Sequence, residues 1–194
     1  LGGEADVDAA VAALGLPMIV KPASQGSSVG MSKVERAEEL AAAYRTARAV
    51  ESTVFAESWI TGGEYTAAIL QNEALPLIRI ETPRSFYDYE AKYFRDDTRY
   101  HCPCGLPAQD EERLKSVALG AFRAVAAEGW GRVDFMLTAA GDPLVLEINT
   151  VPGMTDHSLV PMAARAQGID FDELAWRVLE TSFSRVRPGG RRGD

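Results

Sequence analysis

The sequence predicts an α+β fold, and three observations carry that expectation. Two pairs of strand-like runs, Tyr65 to Leu70 with Leu75 to Ile80 and Gly131 to Leu137 with Leu144 to Asn149, are joined by short turns and read as antiparallel hairpins. Stretches with an apolar stripe at helical spacing, Glu35 to Val50 and Asp110 to Glu128, stand between groups of strands, as covering helices do. With 194 residues and 46% hydrophobic content, the chain can bury a real core, as one domain or as two tightly joined lobes.

The elements follow in order. Glu4 to Leu14 is helix-like and stops at Gly15, a residue suited to ending a helix. Leu16 to Pro22 is a short apolar strand, residues 23–30 a Gly/Ser loop and Met31 to Val34 a second strand. Glu35 to Val50 is helical, with Leu40, Ala43, Tyr44 and Ala47 on one stripe. Thr53 to Ile60 is a strand ended by Thr61, Gly62 and Gly63, and the first hairpin turns about Gln71, Asn72 and Glu73. Residues 84–109 are polar, aromatic and irregular. Asp110 to Glu128 places Leu114, Ala118, Ala121, Phe122 and Val125 on one helix face. The second hairpin follows, then a loop, a short helix around Val160 to Gln167 and a last helix from Phe171 to Phe183. No internal repeat interrupts residues 1–183.

Composition excludes several function classes. A net charge of −8 argues against a general affinity for nucleic acid or an anionic membrane surface. No apolar run approaches the roughly 20 residues of a membrane helix, and no signal-peptide pattern opens the chain. Cys102 and Cys104, separated by one proline, suit neither a zinc knuckle nor a redox pair, and are expected to be reduced cytosolic thiols. His101 and His157 are the only histidines, so a multi-histidine metal site is excluded. The chain opens without methionine directly before a helix, and is expected to be a piece of something longer. Ser184 to Asp194 reads as a solvated, flexible basic tail.

The second hairpin carries the strongest chemical signal. Alternation puts Arg132 and Asp134 on one face and Val133, Phe135 and Leu137 on the other. On its partner strand Glu147 and Asn149 share a face, opposite Leu144, Leu146 and Ile148. A turn symmetric about residues 140 and 141 sets Asp134 across from Glu147 and Arg132 across from Asn149. Facing carboxylates repel unless something positive lies between them, so this face is expected to hold magnesium.

Other stretches are weaker taken alone. Lys21, followed by a loop with Gly26, Ser27, Ser28 and Gly30, fits a plain strand-turn-strand as well as a phosphate-wrapping loop, and the downstream hairpin favours the second. Because its lysine precedes the glycines, the segment is not a Walker A loop. Glu57 and Glu64 flank a glycine bend and read either as an adenine hinge, with Glu64 reaching ribose hydroxyls, or as two solvent-facing glutamates. Residues 84–109, with Tyr87, Tyr89, Lys92, Tyr93, Arg95, Arg99 and Tyr100, read as a lid over a charged ligand. Ser158, just ahead of Pro161, marks a helix N-terminus that can cap the helix, receive an anion, or do both.

Four ordered motifs together are specific. Val20 to Gly30, Tyr87 to Tyr93, Gly129 to Asp134 and Glu147 to Pro161 resemble the D-alanine–D-alanine ligases, ATP-grasp enzymes of peptidoglycan synthesis, and the resemblance spans residues 1–183. It implies an ATP-grasp fold whose two lobes clamp ATP and magnesium or manganese: residues 1–65 as a partial small lobe, 66–183 as the C-terminal lobe with its lid, and 184–194 as the tail. It implies nucleotide contacts at Lys21, Glu57, Trp59, Ile60, Glu64, Lys92, Met136 and Leu146, with Ser58 contributing through its backbone. Asp134, Glu147 and Asn149 would ligate the metal. Ser27, Tyr93, Arg132 and Ser158 would be catalytic, with Gly153, Ser158 and Leu159 at the substrate.

The implied activity is a cytoplasmic, ATP-dependent joining of two D-alanines through an acyl phosphate. The alternatives are a D-alanine–D-lactate type ligase and a nucleotide-binding fragment without turnover. The family's N-terminal domain, with a glutamate that orients the first D-alanine and a further ATP-binding lysine, is not in this chain. The 194 residues alone are therefore expected to be inactive, and the intact protein is expected to be a homodimer. Gln25 stands where many members have glutamate, and Ser58 where many have lysine.

Overall fold

The computed structural model describes residues 6–25, 28–82 and 98–183. The chain divides between Ile60 and Thr61 into two compact units, the described residues up to Ile60 with Thr82 and Thr98 forming the first, and Thr61 to Glu81 with Arg99 onward the second. Both mix helices with antiparallel sheet, as the α+β expectation requires.

In the first unit, helix α1 (Val7–Leu14) ends where Gly15 takes φ 72° and its N–H reaches Val11 O at 2.9 Å. Strands β1 (Met18–Pro22), β2 (Ser32–Val34) and β3 (Val54–Ser58) make a sheet of order β2-β1-β3. The helix expected over 35–50 resolves into a 3₁₀ turn (Ala37–Glu39) and helix α2 (Leu40–Val50). Its start is delayed because the Glu39 carboxylate accepts the N–H groups of Glu35 at 3.0 Å and Arg36 at 3.3 Å, satisfying donors that a helix leaves orphaned. Met18, Val20, Val34 and Val54 pack against Leu40, Ala43 and Ala47. Alternation then sends Ile19, Lys21, Phe55 and Glu57 to the opposite face.

The second unit is built on a sheet of order β7-β6-β4-β8-β9, in which β5 (Glu73–Ala74) also pairs with β4 (Glu64–Leu70). Strand β6 is Ile78–Glu81, β8 is Trp130–Leu137 and β9 is Pro143–Asn149. The first hairpin turns at Gln71 and Asn72, with φ of 51° and 67°, the two positive values of a type I′ turn. Its return strand is broken into β5 and β6. Residues 84–97 of the expected lid lie outside the described residues, and Arg99–His101 of that stretch form strand β7 on β6.

Helix α3 (Ala108–Ala124) starts before Asp110 and ends before Glu128, because Ala126 takes φ 54° and Ala127 N–H returns to Phe122 O at 3.2 Å. Tyr65, Ala67, Ile69, Val133 and Phe135 form one face of the sheet and pack against Leu114, Ala118 and Phe122 of α3. Helix α4 (Leu159–Ala166) packs on β4 and against α5 (Phe171–Phe183). Pro161 is the third residue of α4, not the first, and still lies in the turn where a missing N–H costs nothing.

Candidate functional site

The face of the second sheet turned away from α3 collects the polar residues of β8 and β9. Asp134 lies opposite Glu147 and Arg132 opposite Asn149, the expected pairs, although the turn itself centres on Ala140, with Leu137 opposite Pro143, and not between residues 140 and 141. Thr138 sets that turn: its N–H reaches Asp142 O at 2.8 Å and its hydroxyl accepts the Asp142 N–H at 3.1 Å. Helix α3 anchors it through Arg113, which donates to Gly141 O at 2.8 Å. Beyond the pair of carboxylates the register slips by one between Asp134 and Phe135, a bulge at Leu146. The expected alternation therefore fails there. Leu144 pairs with Met136 and shares the face of Asp134, not the core face, while Leu146 sits unpaired in the bulge and 44% exposed.

The repulsion between facing carboxylates is answered within the chain. Arg132 grips Asp134 in a two-toothed contact, Nε to Oδ1 at 2.8 Å and Nη2 to Oδ2 at 2.7 Å. Asn149 Nδ2 donates to Asp134 Oδ2 at 3.0 Å and to Glu147 Oε1 at 3.2 Å, so one amide bridges both acids. Asp134 is buried and Glu147 exposed. Among the described residues no three His, Cys, Asp or Glu side chains gather at a common point. Two carboxylates with one amide nevertheless make a donor set of hard oxygens, the kind that suits magnesium or manganese. Burial pushes both cysteine thiols up, away from the thiolate form a soft-metal site needs.

Cross-strand rows extend the site. Glu64, Met136 and Leu144 stand side by side on β4, β8 and β9, and Thr66, Asp134 and Glu147 form the next row. Past β9, Ser158 holds the N-cap position of α4, but its hydroxyl turns back to accept the Thr155 N–H at 2.9 Å instead of capping forward. Gly153 lies so near that a Cβ there would come within 2.8 Å of Ser158 Oγ, and a side chain at this position would make that hydroxyl shift. Leu159 is buried at the start of α4.

In the first unit, Lys21 Nζ lies 2.6 Å from Glu57 Oε2 and 4.9 Å from the centroid of Phe55, on the face away from α2. The Trp59 backbone N–H donates to Pro17 O at 3.1 Å, and Lys33 Nζ lies 4.8 Å from the centroid of the Trp59 ring. Ser58, opposite Met18, points the other way and donates to Leu14 O at 3.1 Å. Its side chain ties β3 to α1, leaving its backbone alone on offer. Ile60 ends the unit. Ser27, Lys92 and Tyr93 lie outside the described residues.

Sequence reasoning passed over two side chains found in these clusters. Lys33 gave no signal beyond its charge. Thr66, the one aliphatic hydroxyl within the run Tyr65 to Leu70, is bonded to Asp134 Oδ1 at 2.6 Å.

Comparison with known proteins agrees with this architecture. The family model described as D-ala D-ala ligase C-terminus matches residues 3–180. The D-alanine–D-alanine ligase of Alkalilimnicola ehrlichii is 60% identical over 97% of this chain and 60% of its own length, and that of Methylococcus capsulatus is 56% identical over 92% and 58%. Among solved structures, the D-alanine–D-alanine ligase of Bacillus anthracis aligns with a TM-score of 0.78 at 38% identity, over 90% of this chain and 57% of that one. The VanG D-Ala:D-Ser ligase of Enterococcus faecalis aligns with a TM-score of 0.82 at 30% identity, over 92% and 53%. The chain thus spans about 60% of the length of the curated relatives it matches. Its α+β units have the ATP-grasp fold of these structural neighbours. With the model match running almost end to end and identities this high, the chain belongs to the D-alanine–D-alanine ligase family, whose C-terminal portion it represents.

Proposed function

We propose that this chain is the ATP- and metal-binding portion of an enzyme that joins two D-alanines, through an acyl phosphate, into D-alanyl-D-alanine for peptidoglycan precursor synthesis in the cytoplasm, with the intact protein a homodimer. The observation that carries the reading is the cluster of Arg132, Asp134, Glu147 and Asn149 on one sheet face of a family member whose neighbour in Bacillus anthracis was solved with ATP. Asp134, Glu147 and Asn149 would hold magnesium or manganese, which when bound neutralises phosphate charge during transfer.

The chain's own residues supply the rest. Phosphoryl transfer depends on positioning and charge neutralisation more than on covalent help. Lys21, steadied by Glu57, and Lys92 are assigned to phosphate oxygens. Trp59, Ile60 and the Ser58 backbone are assigned to the adenine, Glu64 to the ribose, and Met136 and Leu146 to apolar contact with the nucleotide. Arg132 donates to the oxyanion formed when the second amine attacks the acyl phosphate, where losing one such donor typically costs about 10²–10³ in rate. Gly153, Ser158 and Leu159 open α4 toward the substrate carboxylate, since helix N-termini favour anions. Ser27 and Tyr93 are assigned to a hydrogen-bonded tie between the loop after β1 and a lid within residues 84–97, ahead of β7, that excludes water from the acyl phosphate.

The test is a competition at pH 7 with equal D-alanine and D-lactate, run on the full-length protein with ATP and magnesium, and products separated by mass. D-alanyl-D-alanine is expected to predominate, and Tyr93→Phe to slow its formation. Predominant ester would assign the chain to a D-lactate ligase, and no D-alanine-dependent phosphate release would remove the reading altogether.

A further inference from the structure

We infer that Thr66 is a positioning residue that selects which oxygen of Asp134 faces the metal, an inference that rests on the reading of Asp134 as a metal ligand. Thr66 and Asp134 are the buried polar side chains among the described residues, 1% and 8% exposed. They stand directly opposite each other on β4 and β8, and β4 has β6 on its other side, so Thr66 is locked between two strands. A β-branched side chain in such a place has little freedom about χ1.

The direction of the bond follows from chemistry. Asp134 already receives two donors from the Arg132 guanidinium, so it is a carboxylate and can only accept. The single hydroxyl proton of Thr66 therefore goes to Oδ1, 2.6 Å away, in preference to Val133 O at 3.4 Å. A distance of 2.6 Å is that of a charge-assisted O–H···O⁻ bond.

Each carboxylate oxygen accepts two donors, and the strands those donors come from distinguish the two oxygens. Oδ1 is occupied by Thr66 and by Arg132 Nε, both contributed from β4 and β8. Oδ2 accepts Arg132 Nη2 at 2.7 Å and Asn149 Nδ2 at 3.0 Å, and through Asn149 it is the oxygen turned to β9, the strand that carries Glu147. Thr66 thus pins Oδ1 on the buried side and keeps Oδ2 turned toward the other two ligands. Donors that orient a ligating carboxylate in this way commonly set metal affinity by about 10–100-fold.

The experiment measures Mn²⁺ binding to the whole chain, with Mn²⁺ alone as the probe, from the electron paramagnetic resonance signal of the free ion. The parent, Asp134→Asn, Thr66→Val and Thr66→Ser are compared, each checked for a cooperative thermal transition. Asp134→Asn is expected to lose binding, Thr66→Val to weaken it about 10–100-fold, and Thr66→Ser, which keeps the hydroxyl, to bind as the parent does. If Thr66→Val does not fold, Thr66→Ala takes its place with the same expected weakening. Parent-like affinity in Thr66→Val or Thr66→Ala, while Asp134→Asn has lost it, overturns the role of Thr66 and leaves the site standing. Weakening in Thr66→Ser as large as in Thr66→Val also overturns it. Undiminished affinity in Asp134→Asn instead overturns the metal assignment itself.

Discussion

Asp134 and Glu147 are both acids on one sheet face, yet their surroundings assign them opposite responses to substitution. Glu147 is exposed and accepts one hydrogen bond, from Asn149. Glu147→Gln removes a charge that faces another carboxylate, so the ligand-free protein should melt no lower than the parent. It should lose the added stability that Mg-ATP confers on a binding-competent chain, about 2.7 kcal/mol when ligand stands at 100 times its Kd. Thermal unfolding with and without Mg-ATP reads both effects, and an undiminished shift in the variant would end the metal assignment. Asp134 differs, because its side chain is 12% exposed and pairs with an Arg132 that is 19% exposed. Asp134→Ala leaves that guanidinium largely buried without its carboxylate, a change that typically costs about 3–5 kcal/mol, with the lower end expected here because Arg132 retains some solvent. Urea unfolding measures it, and a loss below about 1 kcal/mol would mean that the pair contributes little.

At the scale of elements, the β8–β9 hairpin is held by close packing as much as by its ladder. A Cβ on Gly131 would lie 2.6 Å from Phe122 Cε2 and 2.9 Å from Asn149 O, pressed between the core of α3 and the strand that carries the acids. Gly131→Ala should therefore destabilise by about 1–3 kcal/mol through overpacking and weaken Mn²⁺ binding by displacing Asn149. Equilibrium unfolding and a Mn²⁺ titration check the two parts, and loss of stability with unchanged binding would separate the packing from the site. The β6–β7 edge behaves differently. The Glu81 carboxyl is held below the usual carboxylate range, first by its hydrogen bond with His101 at 2.8 Å. A depressed carboxylate contributes stability above its unfolded pKa and loses it as pH falls through the folded value. The pH dependence of Tm below neutrality should thus flatten at the acid end in Glu81→Gln, and an unchanged profile would assign no stability to this pair.

For the whole molecule, the chain covers about 60% of its curated relatives' length, and that bears on activity. The 194 residues alone are expected to make little or no dipeptide, because a substrate misplaced by about 1 Å can already cost about 10²-fold in rate. D-alanine-dependent phosphate release by this chain at the rate of a full-length relative would contradict that expectation. Much was legible in the sequence alone: the α+β class, the order of the elements apart from β7 and the split of the first hairpin's return strand, a turn at residues 138–142 and the pairing of Asp134 with Glu147. The elements and the hairpin are local matters, since a period of two and a short turn determine them without reference to the rest of the chain, whereas the turn centres on Ala140 and the acids meet only because the bulge shifts the register by one. Other features were decided only by the tertiary structure. Thr66 meets Asp134, Lys33 lies over Trp59, and Ser58 turns to α1 because strands and helices far apart in sequence pack side by side. The bulge at Leu146 belongs to the same class, for a ladder can absorb one extra residue wherever packing on its two faces demands it, and no alternation of residues announces the place.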